Sequence, residues 1–198
     1  VKEGEICAVI GPNGAGKSSM LNVINGVYLP QIGTVTYDGV ERQSINPRDA
    51  AIAGMARTFQ NIALFQGMNV LENIMTGRNL FMKSTWLEQG LNIGRAREEE
   101  RVNRLAVEKV IKFLQIESIR KTPVSKLPYG LQKRVELGRA LVAEPKILLL
   151  DEPMAGMNLE EKADMSCFIL EINKEQGITT VMIEHDMGVV MDISDHVV

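Results

Sequence analysis

Residues Gly11-Pro12-Asn13-Gly14-Ala15-Gly16-Lys17-Ser18 fit the pattern G-x-x-x-x-G-K-[ST], and the rest of the chain is read outward from them. The apolar run Ile6-Cys7-Ala8-Val9-Ile10 precedes them, and a helical pattern carrying Met20, Leu21, Val23 and Ile24 follows. A glycine-rich segment between a strand and a helix suits a phosphate group. Several backbone N–H groups must converge on one polyphosphate, and side chains at Gly14 and Gly16 would obstruct that approach. The helix opening near Lys17 adds the positive end of its dipole. In this setting Lys17 reaches the β- and γ-phosphates and the Ser18 hydroxyl ligates Mg²⁺. The pattern also fits a glycine-rich turn ahead of an ordinary helix, so the remaining residues are judged by whether they complete a nucleotide site.

The bulk properties are those of a soluble globular protein. The chain has 198 residues, 45% of them hydrophobic and 24% charged, enough for one domain carrying a subdomain. A formal charge of −3 supplies no basic field, so nucleic acid is not an expected partner. No apolar run approaches the roughly 18 residues that a membrane-spanning helix needs, so any membrane role must come through a partner. Cys7 and Cys167 lie far apart without ligand-like spacing and are expected to be small buried hydrophobes in a reducing compartment. The sequence opens on Val1 without an initiator Met and ends in the apolar Val197-Val198, which reads as a segment cut at both ends.

Along the chain, Gly26 is placed to stop the first helix, and Gly33–Gly39 reads as a strand ending in an Asp-Gly turn. Asn46-Pro47 opens a short helix with Asn at N-cap and Pro at N1, and Met55–Phe59 forms a strand after Gly54. Asn69-Val70-Leu71-Glu72 resembles a capping box opening a helix whose face carries Leu71, Ile74 and Met75. Residues 79–97, with Trp86 among them, show no clear period. From Glu98, Val102, Leu105, Ala106, Val110, Phe113 and Leu114 recur at helical spacing. Residues 69–122 therefore read as a helical subdomain inserted into an α/β core formed by 1–68 and 123–198. Leu127-Pro128-Tyr129-Gly130-Leu131-Gln132 begins another helix, closed by Pro145.

Polar groups then gather at strand ends. Lys146–Leu150 is a continuous apolar run suited to a buried parallel strand, and Asp151-Glu152 follows it at once. Ionisable groups at the carboxyl end of such a strand lie where α/β folds bind ligands. Asp151 is placed to hold the Mg²⁺ hydration shell, and Glu152 to act as general base on an attacking water. Asn158–Glu161 forms a second capping box, and Met165, Phe168, Ile169 and Ile172 line one face of the helix after it, up to Gly177. Thr179–Ile183 is a further buried strand, and His185 follows it on the same rim as Gln60 and Asp151. His185 is assigned a γ-phosphate contact, and Gln60 a place as a ligand of Mg²⁺ and the attacking water. His196 is read as incidental.

In this order the residues resemble an ATP-binding cassette (ABC) ATPase, over essentially the whole chain. Ala56-Arg57-Thr58-Phe59-Gln60-Asn61, Val70-Leu71-Glu72-Asn73-Ile74-Met75 and Glu184-His185-Asp186-Met187 narrow the resemblance to the ATPase subunits of branched-chain amino acid importers. The resemblance implies a P-loop NTPase core with a mostly parallel sheet, a small antiparallel β part and an inserted helical subdomain. It implies ATP and Mg²⁺ as ligands, with Gly11, Asn13, Gly14, Ala15, Gly16, Lys17, Ser18 and Ser19 on the phosphates and Ser18, Gln60 and Asp151 at the metal. Glu152 is matched to the catalytic base and His185 to the switch histidine, with Gln60 and Lys17 also taking part in catalysis. Leu127–Gln132 is matched to the signature that completes a partner's site in a head-to-tail dimer. Partners implied are a second ABC ATPase, integral membrane permease subunits and, through them, a periplasmic binding protein. The implied location is the cytoplasmic face of a bacterial or archaeal inner membrane.

One departure stands out. The usual signature is Leu-Ser-Gly-Gly-Gln, whereas Pro128 here removes a hydroxyl and an N–H expected to face the γ-phosphate. The resemblance then implies two unequal composite sites. Asn158 stands where an Asp is usual, for which an N-cap role is sufficient. The rival readings are an ABC ATPase for another cargo such as urea import or lipid export, a non-transport ABC protein acting on nucleic acid or ribosomes, and a nucleotide-gated binding module without turnover.

Overall fold

The computed structural model describes residues 1–82 and 95–198; Trp86 and the rest of the aperiodic stretch inside 83–94 lie outside the described residues. The described chain forms two compact units, one made of residues 1–61 and 145–198 and the other of residues 62–144.

The first unit is built on apolar runs that pair side by side. β1 (Ile6–Val9), β4 (Met55–Arg57), β5 (Ile147–Asp151), β6 (Thr179–Ile183) and β7 (His196–Val197) form a parallel sheet in the order β4-β5-β6-β1-β7. Every residue of β6 is buried and β5 is nearly so, as expected of parallel strands covered on both faces. The registers Leu149↔Val181 and Asp151↔Ile183 bring the carboxyl ends of β5 and β6 level, so the residues that follow share one rim. α1 (Lys17–Ile24) lays Leu21 against Leu149, Val181 and Ile183. Burying a side chain of that size contributes about 2 kcal/mol.

The other elements of this unit follow their local signals. The Asp38-Gly39 turn joins β2 (Val35–Tyr37) to β3 (Val40–Arg42) in a separate antiparallel pair. Both turn residues have positive φ, 51° and 72°, the backbone twist that favours tight hairpins. β3 had no signal of its own in the sequence. α2 (Pro47–Ile52) starts at Asn46, whose side chain accepts from Asp49 N–H, with Pro47 in the first helical turn.

In the second unit, α3 (Val70–Met75), a 3₁₀ segment (Thr76–Phe81), α4 (Arg95–Phe113) and α5 (Tyr129–Leu141) pack together. The Asn69 capping box is present with both of its hydrogen bonds. A methyl group at Gly77 would lie 2.2 Å from the Arg139 carbonyl oxygen, so only glycine allows this approach to α5. The buried face of α3 carries Val70, Asn73 and Ile74, while Leu71 and Met75 are only half-buried. On α4 the buried positions are Ala96, Asn103, Val107 and Ile111, continuing to Leu114, while Val102 and Leu105 are exposed. Leu114 is buried as expected and Ala106, Val110 and Phe113 are half-buried, so the centre of the face lies one residue beyond the expected one. Because α5 packs on α3 and α4, residues 62–68 and 123–144 group with the helices, a wider span than 69–122.

Back in the first unit, α6 (Leu159–Gln176) runs from the Asn158 capping box to Gly177 and buries Met165, Phe168, Ile169 and Ile172 as the spacing predicts. Cys167 is exposed, against expectation, because it lies about 200° round the helix from Met165. Cys7 is buried in β1, and that burial pushes its thiol pKa up. α7 (Met187–Ile193) starts at Asp186, whose carboxylate accepts from Gly188 and Val189 N–H. Among the described residues no helix is long and apolar enough to cross a membrane.

Candidate functional site

β1 ends at Val9, and the chain turns through the glycine-rich loop into α1 at Lys17. Gly11, Gly14 and Gly16 have φ of 151°, 81° and 94°. A Cβ at Gly14 or Gly16 would touch no atom of the chain, so it is φ rather than internal crowding that calls for glycine there. Gly16 is the N-cap of α1 and offers no side chain to the first-turn N–H groups. The loop from Pro12 to Gly16, including Asn13 and Ala15, is exposed, as is Ser19, while Lys17 and Ser18 are half-buried. Lys17 Nζ donates to the carbonyls of Gly11 (2.7 Å) and Pro12 (3.0 Å), folding its charge over the loop.

Asp151 closes β5 directly behind this loop. Ser18 Oγ donates to Asp151 Oδ1 at 3.1 Å, and Arg57 Nη2 donates to Asp151 Oδ2 at 2.9 Å. Two hard oxygen donors, one from the loop and one from the strand end, thus stand together. That set fits Mg²⁺, which keeps few protein ligands and completes its shell with water and phosphate oxygens. Gln60, expected with Ser18 and Asp151 at the metal, donates its amide to Glu152 Oε2 at 3.0 Å.

Glu152 is the meeting point of the rim. His185 Nε2 lies 3.0 Å from Glu152 Oε1, so Gln60 and His185 take one carboxylate oxygen each. Glu152 has φ 50°, in the left-handed region that non-glycine residues rarely occupy, and its N–H donates to Ile183 O. Beyond this bend the side chain reaches across to His185, two residues past the end of β6. The side chain of Glu152 is 17% exposed, enough to meet a water.

Two supporting residues carry no assignment from the sequence pattern. Glu184, 4% exposed, accepts from Met154 N–H with Oε1 and from His185 N–H with Oε2. It thereby couples the segment after Glu152 to the segment holding His185. Arg57 is the other. The sequence showed only an arginine in a short strand between Ala56 and Thr58, a residue type that calls for an acid partner when buried, without showing which acid. Beside the rim, Lys162 Nζ pairs with Asp186 Oδ2 at 2.6 Å. That contact holds the Asp186 carboxyl below its ordinary value and raises Lys162, and His196 stands apart on the exposed edge strand β7.

The segment Leu127–Gln132 belongs to the second unit and is described by itself. Pro128 is the N-cap of α5, at φ −54° and ψ 154°, and is exposed with Tyr129, whereas Leu127 and Gly130 are buried. Gln132 N–H donates to Pro128 O at 3.1 Å and its side-chain amide to Leu127 O at 2.9 Å. Leu131 is half-buried beside it.

With the loop, the strand-end Asp151-Glu152 pair and the parallel sheet described, residues 1–155 match the family described as ABC transporter. The chain belongs to the ABC transporter family. Among relatives of this ABC ATPase, the "High-affinity branched-chain amino acid transport ATP-binding protein BraF" of Pseudomonas aeruginosa is 35% identical over 198 residues, covering 100% of this chain and 78% of the relative. A nucleotide-free ATP-binding cassette from an ABC transporter superposes with a TM-score of 0.84 at 30% identity, over 100% of this chain and 77% of that one. A dimeric ATP-binding cassette in a post-hydrolysis state, bound to ADP and Pi, superposes at 0.81 with 26% identity, over 100% and 82%. The expected fold, with its parallel sheet, separate antiparallel pair and helical insert, is the fold of these cassettes.

Proposed function

We propose that this ABC ATPase is the ATP-hydrolysing subunit of an importer of branched-chain amino acids. The observation that carries hydrolysis is Glu152, held between Gln60 and His185 at the strand end next to the phosphate loop. The loop N–H groups from Asn13 to Ser19 bind the phosphates, and Lys17 leaves its own loop carbonyls for the β- and γ-phosphate oxygens. When bound at Ser18 and Asp151, Mg²⁺ would offset the charge on the phosphates. Glu152 accepts a proton from the attacking water, and Gln60 and His185 orient its two oxygens and contact the γ-phosphate side. Relatives named for branched-chain amino acid transport support the cargo.

The likeness to a dimeric cassette supports a head-to-tail pair with a second ABC ATPase. In that pair Leu127–Gln132 faces the partner's nucleotide. The pair docks on integral permease subunits fed by a periplasmic binding protein, at the cytoplasmic face of the inner membrane. In Glu152→Gln, ATP hydrolysis by the assembled transporter should fall by about 10²–10⁴-fold while ATP binding is retained. Undiminished steady-state hydrolysis would remove Glu152 as the base. Pro128 presents a side of α5 with neither hydroxyl nor N–H, so Pro128→Ser should raise turnover if the site it lends is the weaker of two. Unchanged turnover in an intact assembly would show the two sites to be equivalent in this respect.

A further inference from the structure

We infer that Arg57 is the positioning residue that aims Asp151 at the phosphate loop, holding one carboxylate oxygen and leaving the other for the metal. This deepens the reading of Ser18 and Asp151 as a divalent-cation site and rests on it. The two side chains are among the most enclosed charges of the first unit, 4% and 3% exposed. Both Nη atoms of Arg57 are committed. Nη2 donates to Asp151 Oδ2 at 2.9 Å, and Nη1 donates to Asn22 Oδ1 on α1 at 2.6 Å. The Phe59 ring lies 5.0 Å from the guanidinium carbon and covers its face, while buried Nε has no hydrogen-bond partner among the described residues. The guanidinium is therefore placed by its two outer nitrogens.

A cation beside a site for another cation looks self-defeating. The division of the carboxylate resolves this. Oδ2 belongs to Arg57, and Oδ1 faces Ser18 Oγ at 3.1 Å. Without the arginine, a buried carboxylate would have only the neutral Ser18 hydroxyl beside it until a metal arrived, which is costly, and its plane would turn more freely about a broad torsion. With it, the plane is set before binding, and the oxygen presented to the loop is always the same one. The planar fork also reaches two acceptors on different elements, which a lysine ammonium on a flexible stem does not reproduce. One guanidinium thereby joins α1, which follows the loop, to the end of β5, from the strand that leads towards Gln60.

The test separates metal orientation from general bracing. A non-hydrolysable ATP analogue is titrated by calorimetry into the full-length subunit, once with Mg²⁺ and once with EDTA, for wild type, Arg57→Lys, Asn22→Ala and Asp151→Asn. The expected result is that Asp151→Asn and Arg57→Lys lose about tenfold of the Mg²⁺-dependent gain in affinity, as residues that orient a metal ligand do, with EDTA affinity within about twofold of wild type. Asn22→Ala keeps the ion pair but frees Nη1, so it should lose a smaller part of the same gain. It serves as the deciding variant if Arg57→Lys does not fold. Arg57→Lys with the wild-type gain, or with equal losses in Mg²⁺ and EDTA, overturns the inference, as does wild-type behaviour of Asn22→Ala where it decides. Asp151→Asn with the wild-type gain overturns the metal-site reading itself, and the inference with it.

Discussion

Glu184 and Glu152 sit at the ends of adjacent strands, yet only one was legible as a working residue. Glu152 follows an apolar run and a phosphate motif announces its chemistry, whereas Glu184 precedes a histidine and gives no sign of which backbone it serves. Both of its oxygens accept backbone N–H groups, Met154 and His185, in a setting that is 4% exposed. Glu184→Gln keeps the shape but turns one acceptor into an NH₂ facing an N–H. That buried mismatch should cost about 2 kcal/mol, or roughly 4–8 °C in Tm for a chain of this size. Calorimetry checks it, and an unchanged Tm would mean that the loop re-forms without Glu184. Arg57 was missed for a related reason: its partners, Asn22 and Asp151, are remote in sequence, and only the parallel pairing of β4 with β5 brings them together.

At the scale of elements, caps and stops were legible while helix faces were less so. Asn46, Asn69, Asn158 and Gly177 act through residues three or four positions away, so a local pattern was sufficient. The face of α4 depends on a distant side chain. Asn103 is buried because its Oδ1 accepts from Arg78 Nε at 2.9 Å, and a reading that kept polar residues out of the core shifted the face by one position. The same exclusion hid Asn73 on α3. Its Oδ1 accepts from Phe65 N–H, and its amide donates to the carbonyls of Phe65 and Asn69. This clasp shapes the loop ahead of α3 with a single fully buried residue. Asn73→Ala should leave the capping box intact and destabilise the second unit by about 2–3 kcal/mol. Hydrogen exchange should speed up first at Phe65; unchanged protection there would show that the loop is held by other means.

For the molecule as a whole, four strands of the first unit's sheet (β1, β4, β5 and β6) were readable because apolar runs of strand length alternate with helical patterns, whereas the two-residue edge strand β7 was not. The hairpin partner β3 and the grouping of residues 123–144 with the helices were not, since neither leaves a periodic trace. The feature with the widest consequence is the backbone at Glu152. A non-glycine residue at φ 50° costs on the order of 1 kcal/mol against a relaxed conformation. Glu152→Gly would release that cost but lose the carboxylate, and Glu152→Ala would lose the carboxylate and keep the cost. The glycine variant should therefore melt above the alanine variant, both without turnover; equal melting temperatures would show that the bend is unstrained. The native carboxylate repays the bend through its hydrogen bonds to Gln60 and His185. Among idle variants that lack it, a library sorted for thermal survival alone would favour glycine over alanine at 152.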